Sequence, residues 1–350
     1  MKALIKTSNG ERGLRFEENY PNPKVSYGKV KIKVKIAAIC GSDVHFYYEP
    51  SSLDNSRFKY PVVIGHEGSG EIVEIGEGVE GLKIGNRVVS ETTFNTCKHC
   101  ENCYEGNYNL CDSREGLGSA VDGYFSEYVV VDQRSVHAIP EDISYQEASI
   151  CEPLAVACHG IFEKCKLLAG ETVAIIGPGP IGLLAGIVAK ACGCVVVFIG
   201  RKNSNRLNRI KNEFDFYDVY EIDEDLKKKT LDLTDGRGFD VVIESSGSPS
   251  AFVNSIDVVK KGGNIICLGT SLKDVTVPYS SFAYEKDLSI YGVRSTTPKS
   301  WNKALRLLKY HIIDVNKVID DIIPLKNWEY GYQKMHDKEV FKIAFNPELD

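Results

Sequence analysis

Hydrophobic and polar positions follow two rhythms along this chain. Up to about residue 150 the apolar runs are short and alternating. Val30-Lys31-Ile32-Lys33-Val34-Lys35-Ile36 keeps a strict period of two, which predicts a half-buried strand with its lysines on the exposed face. Gly65, Gly68, Gly70, Gly76, Gly78, Gly81 and Gly85 punctuate the following runs, Glu71-Ile72-Val73-Glu74-Ile75 and Arg87-Val88-Val89. Many short strands with glycine turns predict a barrel-like or sandwich-like β domain.

The rhythm changes between about 155 and 294. Near-continuous apolar strands are predicted at 172–177, 195–200, 239–244 and 263–268, with a weaker one at 217–222 and a last one at 288–293. Helical patterns at 180–192, 204–213, 224–234 and 249–261 lie between them. Such alternation predicts a parallel sheet covered on both faces, and six strands is the count of a complete Rossmann, doubly wound, dinucleotide fold. The remaining residues return to shorter elements, a helix through Trp301–Leu308 and a strand at Val340–Phe345. We read this tail as rejoining the first domain, which gives domains of 1–154 and 295–350 around a central 155–294.

Thr172-Val173-Ala174-Ile175-Ile176 runs into Gly177-Pro178-Gly179-Pro180-Ile181-Gly182. A glycine loop of this spacing between a strand and a helix predicts a dinucleotide site. Gly177 permits the tight turn, Gly179 lets backbone approach a pyrophosphate, and Gly182 lets helix and sheet pack closely. Pro180 and Ile181 open the helix whose N-terminus faces the phosphates. An NAD site normally ends the second strand with Asp or Glu, but this chain has Ile199-Gly200-Arg201-Lys202. Gly200 leaves space, Arg201 can pair with a 2′-phosphate, and Lys202 and Arg206 add charge, so NADP is favoured over NAD. The alternative is a solvated basic loop that still accepts NAD.

Composition narrows the function. Across 350 residues, 42 Lys+Arg against 48 Asp+Glu give a net charge of −6, which disfavours a nucleic-acid partner. No run approaches the roughly 20 apolar residues that span a bilayer, and the N-terminus has no apolar signal core, so the expectation is a cytoplasmic protein without a membrane partner. In that setting eleven cysteines point to metal rather than to a disulfide scaffold.

Cys97-x2-Cys100-x2-Cys103-x7-Cys111 sets four thiols at the reach of one tetrahedral ion, in a lobe over 92–112. Four thiolates leave no open position, so this zinc is expected to be structural. A second, dispersed set comprises Cys40 in Cys40-Gly41-Ser42-Asp43-Val44-His45, His66 and Glu67 after Gly65, and Glu152 in Glu152-Pro153-Leu154-Ala155. One thiolate, one imidazole and one or two carboxylates suit a catalytic zinc with an exchangeable position.

Together these motifs resemble the zinc-dependent medium-chain alcohol and polyol dehydrogenases over essentially the whole chain. The resemblance implies a GroES-like β catalytic domain split by a Rossmann domain. It implies catalytic zinc on Cys40 and His66, with Glu67 and Glu152 as direct or water-mediated partners, and Asp43 orienting His66. Glu152, where the alcohol dehydrogenase branch typically has Cys, is similar to the sorbitol and threonine dehydrogenase branch. The resemblance also implies that Ser42 takes the substrate proton and passes it by way of the nicotinamide ribose to His45, while hydride goes to the nicotinamide.

The expected substrate is a polyol or sugar-derived secondary alcohol. The alternatives are an L-threonine or simple secondary-alcohol or diol dehydrogenase and, in another class, a non-catalytic cofactor-binding homologue. Arg294, Tyr47, Tyr48 and Phe94 are loose candidates for the pocket. A homotetramer or homodimer is expected from the resemblance.

Overall fold

The chain opens with β1 (Ala3–Lys6), β2 (Leu14–Glu17) and β3 (Lys29–Ala38), then α1 (Gly41–Tyr48), β4 (Val62–Val63), β5 (Glu67–Ile75), β6 (Arg87–Ser90) and β7 (Thr93–Asn95). Next come α2 (Glu101–Tyr104), β8 (Glu115–Gly116), β9 (Tyr128–Asp132), β10 (Val136–Ala138), α3 (Tyr145–Ser149) and α4 (Cys151–Cys158). The computed structural model describes residues 1–8, 13–49, 58–271 and 273–349. They pack as two units, Met1–Glu152 with Thr296–Tyr310 and Val315–Asp350, and Pro153–Ser295 with His311–Asp314.

The second unit alternates β11 (Thr172–Ile176), α5 (Pro180–Ala191), β12 (Val195–Gly200), α6 (Asn205–Glu213), β13 (Asp218–Glu221), α7 (Leu226–Leu233), β14 (Phe239–Glu244), α8 (Pro249–Val258), β15 (Val259–Cys267) and β16 (Ser289–Gly292). Its six strands are all parallel, in the order β13-β12-β11-β14-β15-β16. This is the doubly wound arrangement, and the chain reverses its direction of travel across the sheet between β11 and β14. Ala174, Ile176, Val197, Ile199, Val242 and Ile265 are fully buried, as strands covered on both faces require. The helix expected to reach residue 261 ends at Val258, and Val259 already pairs with Phe239 as the start of β15. Val259 takes extended backbone, φ −74° and ψ 143°, and its pairing with β14 ends the helix there.

The chain then forms α9 (Pro298–Lys309), β17 (Ile319–Ile323), α10 (Trp328–His336) and β18 (Lys342–Phe345). β18 lies beside β3 in a seven-stranded sheet ordered β10-β6-β5-β3-β18-β17, with β9 along the first half of β3. Val30, Ile32 and Val34 are buried on one face of β3, as their spacing predicts. The lysines between them are not simply exposed. Lys31 pairs with Glu74, and Lys33 and Lys35 both reach Glu348 at 2.7 Å, because neighbouring segments bring carboxylates over that face. No helix among the described residues is long and apolar enough to cross a membrane.

Gly182 shows how closely α5 sits on the β11 turn: a Cβ there would lie 2.2 Å from the Gly177 carbonyl oxygen and 2.5 Å from Ser245 Oγ. Gly182→Ala must therefore move backbone, and we expect it to cost roughly 1–3 kcal/mol, read as a lowered midpoint in urea unfolding.

Candidate functional site

Strand register brings the dispersed residues together. Ala38, the last residue of β3, pairs with Glu67, the first of β5, while on its other side Ala38 pairs with Ala344 of β18. Continuing these registers sets Cys40, His66, Glu67 and Lys342 around one strand end. Cys40 caps α1 in extended backbone, and its N–H donates to Asp43 Oδ2 at 3.0 Å. One donor atom each from Cys40, His66 and Glu67 lie within 4.8 Å of one another. Glu152 stands outside that cluster, on the first turn of α4, and is buried.

Charge is the dominant feature here. Glu67 is 1% exposed; its Oε2 accepts from Lys342 Nζ at 2.6 Å, and its Oε1 has no hydrogen-bond partner. Lys342 is also sealed from solvent and donates to the Ile39 carbonyl at 2.9 Å. Burial pushes its pKa down, but Glu67 and Cys40 outweigh that and raise it. Burial likewise opposes protonation of His66, yet Cys40, Asp43 and Glu152 around it lift its pKa well above the usual imidazole range. Burial drives the Glu152 carboxyl up to about 7, against the pull of His66. Asp43 Oδ1 lies 3.8 Å from His66 Nδ1, a charge contact rather than a hydrogen bond. A thiol, an imidazole and an orphaned buried carboxylate oxygen are a donor set that fits a divalent cation, which would neutralise the crowded negative charge.

Ser42 and His45 lie three residues apart on α1, hence on one helix face; Ser42 is half-buried and His45 exposed. Tyr47 packs edge-on against Trp328 and Tyr332, Tyr48 stacks on His336, and Phe94 lies under the Lys29 ammonium at 4.1 Å. Arg294 is exposed just beyond β16.

In the cysteine lobe, sulfurs of Cys97, Cys100, Cys103 and Cys111 also lie within 4.8 Å of one another. Cys97 Sγ is 3.6 Å from Cys111 Sγ and accepts from the Cys100 N–H at 3.3 Å. Amide hydrogen bonds, that of His99 foremost, bring the Cys97 thiol down to about 6, which favours a thiolate ready to bind metal. Tyr108 anchors the lobe by donating to the buried Glu91, whose other oxygen meets His137 Nε2 at 2.9 Å. The four thiols fit one tetrahedral ion, and all eleven cysteines are free of disulfides.

In the second unit Gly177 sits at φ 109°, and Gly179 caps α5 ahead of Pro180 and Ile181. A Cβ at Gly179 would meet nothing within 4 Å, so no packing inside the protein demands glycine there, and the space suits a closely approaching ligand. At Gly200 a Cβ would lie 3.0 Å from Leu207 and 3.2 Å from Pro178. Arg201 and Lys202 follow Gly200 and are exposed, whereas Arg206 is buried on α6. Asn203, at φ 58°, donates its N–H to Glu221 at 3.2 Å and shapes this turn.

Lys342 escaped the sequence reading. Its signal was a lysine inside Phe341-Lys342-Ile343-Ala344-Phe345, a run buried throughout. Lys342→Met should leave Glu67 charged and unpaired; we expect metal-free protein to lose about 3–5 kcal/mol in urea unfolding, with Lys342→Met/Glu67→Met recovering much of the loss.

Residues 26–141 match the family model of the alcohol dehydrogenase GroES-like domain, and residues 180–310 that of zinc-binding dehydrogenases. The chain is 38% identical to a sorbitol dehydrogenase of Halalkalibacterium halodurans, covering 99% of both chains. It is 34% identical to a D-arabitol-phosphate dehydrogenase of Enterococcus avium, over 99% of this chain and 98% of that one. With an L-threonine 3-dehydrogenase of Pyrococcus horikoshii the identity is 33%, over 99% and 98%. A zinc-binding dehydrogenase from Sinorhizobium meliloti 1021, solved bound to NADP, superposes with a TM-score of 0.89 at 26% identity, over 99% of each chain. With both domain models matched in order and such identity along its whole length, the chain belongs to the zinc-dependent medium-chain dehydrogenases, in the branch similar to sorbitol and L-threonine dehydrogenases.

Proposed function

We propose that this enzyme is a zinc-dependent dehydrogenase that removes hydride from a secondary hydroxyl of a polyol or sugar-derived alcohol, with NADP preferred over NAD. The observation that carries this is the convergence of Cys40, His66 and Glu67 around an orphaned carboxylate oxygen. Cys40, His66 and Glu67 would hold the catalytic zinc, with Glu152 as the second carboxylate of the set. A zinc ion held there would supply the Lewis acidity that lowers the pKa of an adjoining hydroxyl, and a bound nicotinamide would supply the hydride acceptor. Ser42 Oγ accepts the proton the hydroxyl gives up as it hands its own proton on toward His45. His45, one turn on along the same face and open to solvent, releases that proton to water. Cys97, Cys100, Cys103 and Cys111 would hold a second, closed zinc that fixes the lobe.

Residues 155–294 serve as the dinucleotide-binding domain in this reading, and 1–154 with 295–350 as the catalytic domain. Gly177, Gly179, Pro180, Ile181 and Gly182 carry the pyrophosphate at the α5 N-terminus. Arg201 pairs with a 2′-phosphate beside Lys202, with Arg206 in the first turn of α6; the space expected at Gly200 is instead taken by Leu207 and Pro178, whose packing favours glycine there. The absence of an acidic residue directly after Gly200 supports NADP. Free thiols support a cytoplasmic, reducing setting. The edge strand β16, with Ile290 39% exposed, supports a homodimer or homotetramer, which light scattering would count.

Initial rates with NADP⁺ and NAD⁺ over sorbitol, xylitol, galactitol, L-threonine and 2,3-butanediol test the substrate reading. We expect turnover of a polyol with NADP⁺ preferred; activity confined to threonine or the diol would replace that substrate class. Arg201→Ala should raise the KM for NADP⁺ about tenfold and leave that for NAD⁺ unchanged. Metal analysis of the active enzyme should find two zinc ions per chain, and one equivalent would remove one of the two assigned sites.

A further inference from the structure

At the carboxyl end of β14 a short segment around one buried carboxylate ties three strand ends together. Glu244 is the last residue of the strand and 3% exposed. Its Oε1 accepts from the Ser246 N–H at 2.8 Å, the Ser246 hydroxyl at 2.6 Å and the Gly247 N–H at 3.0 Å. Its Oε2 accepts a longer bond, 3.3 Å, from the same Gly247 N–H. The backbone carbonyl of Glu244 accepts from Leu268 and Gly269 N–H, at 2.8 and 3.0 Å, so the loop after β15 is tied to the same residue. That loop closes so tightly that a Cβ on Gly269 would lie 2.6 Å from Glu244 Oε2 and 2.2 Å from the Gly247 nitrogen.

The clasp extends to the glycine turn. Ser245 Oγ donates to the carbonyls of Ile176 and Gly177, at 3.0 and 2.9 Å. A Cβ on Gly177 would lie 2.9 Å from Ser246 Cβ. The loops after β11, β14 and β15 are thus held in fixed relation by Glu244 and the two serines after it. In open parallel sheets ligands bind outside the carboxyl ends of the strands, where the strand order reverses, and here that point lies between β11 and β14. A buried carboxylate is costly unless its oxygens are hydrogen-bonded, so its presence where an apolar residue would satisfy the core calls for a reason.

We propose that Glu244 is a positioning residue for the dinucleotide: it never touches the cofactor, but sets the 245–248 loop as the wall facing the glycine turn. Oε1 takes all three short bonds on one side, while Oε2 fills the space against Gly247 and Gly269 on the other. Glutamine can keep the three short bonds by placing its carbonyl oxygen where Oε1 lies, whereas methionine fills similar space and leaves all three donors without an acceptor. The proposal rests on residues 177–182 being a dinucleotide loop.

The test is equilibrium binding of NADPH and NADH to the zinc-loaded full chain, with amide hydrogen exchange on the cofactor-free protein. In Glu244→Met we expect the Kd for NADPH to rise about tenfold, with kcat at saturating cofactor within about twofold of wild type and faster exchange at Gly247 and Gly269. An unchanged Kd overturns the proposal, and does so even if exchange is faster, since Glu244 would then be structural only. If Glu244→Met does not fold, Ser246→Ala, which removes only the 2.6 Å donor, is judged by the same readouts, with a rise of about threefold expected. Wild-type protein that binds neither nucleotide would instead overturn the dinucleotide reading, and the proposal with it.

Discussion

A charged lysine sealed inside a β-sheet is the constraint on which the first unit is organised. The Lys342 ammonium has given up water and holds two partners, the Glu67 carboxylate and the Ile39 carbonyl. Neither contact survives a shift in strand register, because a slip of one residue turns every side chain of a strand to the opposite face. The pair therefore fixes β18 against β3 and β5 at the point where Cys40 leaves the sheet. Such a pair adds little net stability over apolar packing, but it gives the arrangement uniqueness, since any alternative strands a buried charge.

The surroundings of the pair extend the same logic. Cys40, Asp43, Glu67 and Glu152 bring more potential negative charge than Lys342 alone can balance, and His66 is drawn toward its charged form in response. A divalent ion would release that tension and return the imidazole to a neutral donor. The cysteine lobe solves a similar problem with backbone N–H groups directed at sulfur. In the second unit Glu244 is held by N–H and O–H groups alone, and the charge there shapes loops rather than binding metal.

Periodicity and punctuation made most of the fold legible. The six parallel strands and the glycine turn follow from apolar runs between helices, and the four-cysteine lobe from spacing alone. What stayed hidden depends on contacts between residues far apart in the chain. Lys342 is an ordinary residue by pattern and becomes central only because β18 pairs with β3. Lys31, Lys33 and Lys35 looked solvent-facing because alternation cannot reveal that Glu74 and Glu348 arrive opposite them. The end of α8 was misjudged because the valines around it suit helix and strand alike, and tertiary pairing with β14 decides. Glu244 closes an apolar strand in the sequence, where nothing marks it as a buried clasp.

The joining of Glu67 to Lys342 also carries a consequence for how the protein is made. The two residues are 275 positions apart, and the entire parallel-sheet unit is synthesised between them. At typical elongation rates the carboxylate waits on the order of tens of seconds for its cation to leave the ribosome. During that interval β3 and β5 can pair, but the edge of β3 that receives β18 stays open and the Glu67 carboxylate has no lysine beside it. The second unit, by contrast, is closed by strands drawn almost wholly from one contiguous stretch, so it can mature while the first is still incomplete. Vectorial synthesis thus imposes an order on the molecule: the sheet that cradles nucleotide can be finished first, and the site built on Cys40 and His66 is completed only by the final strand.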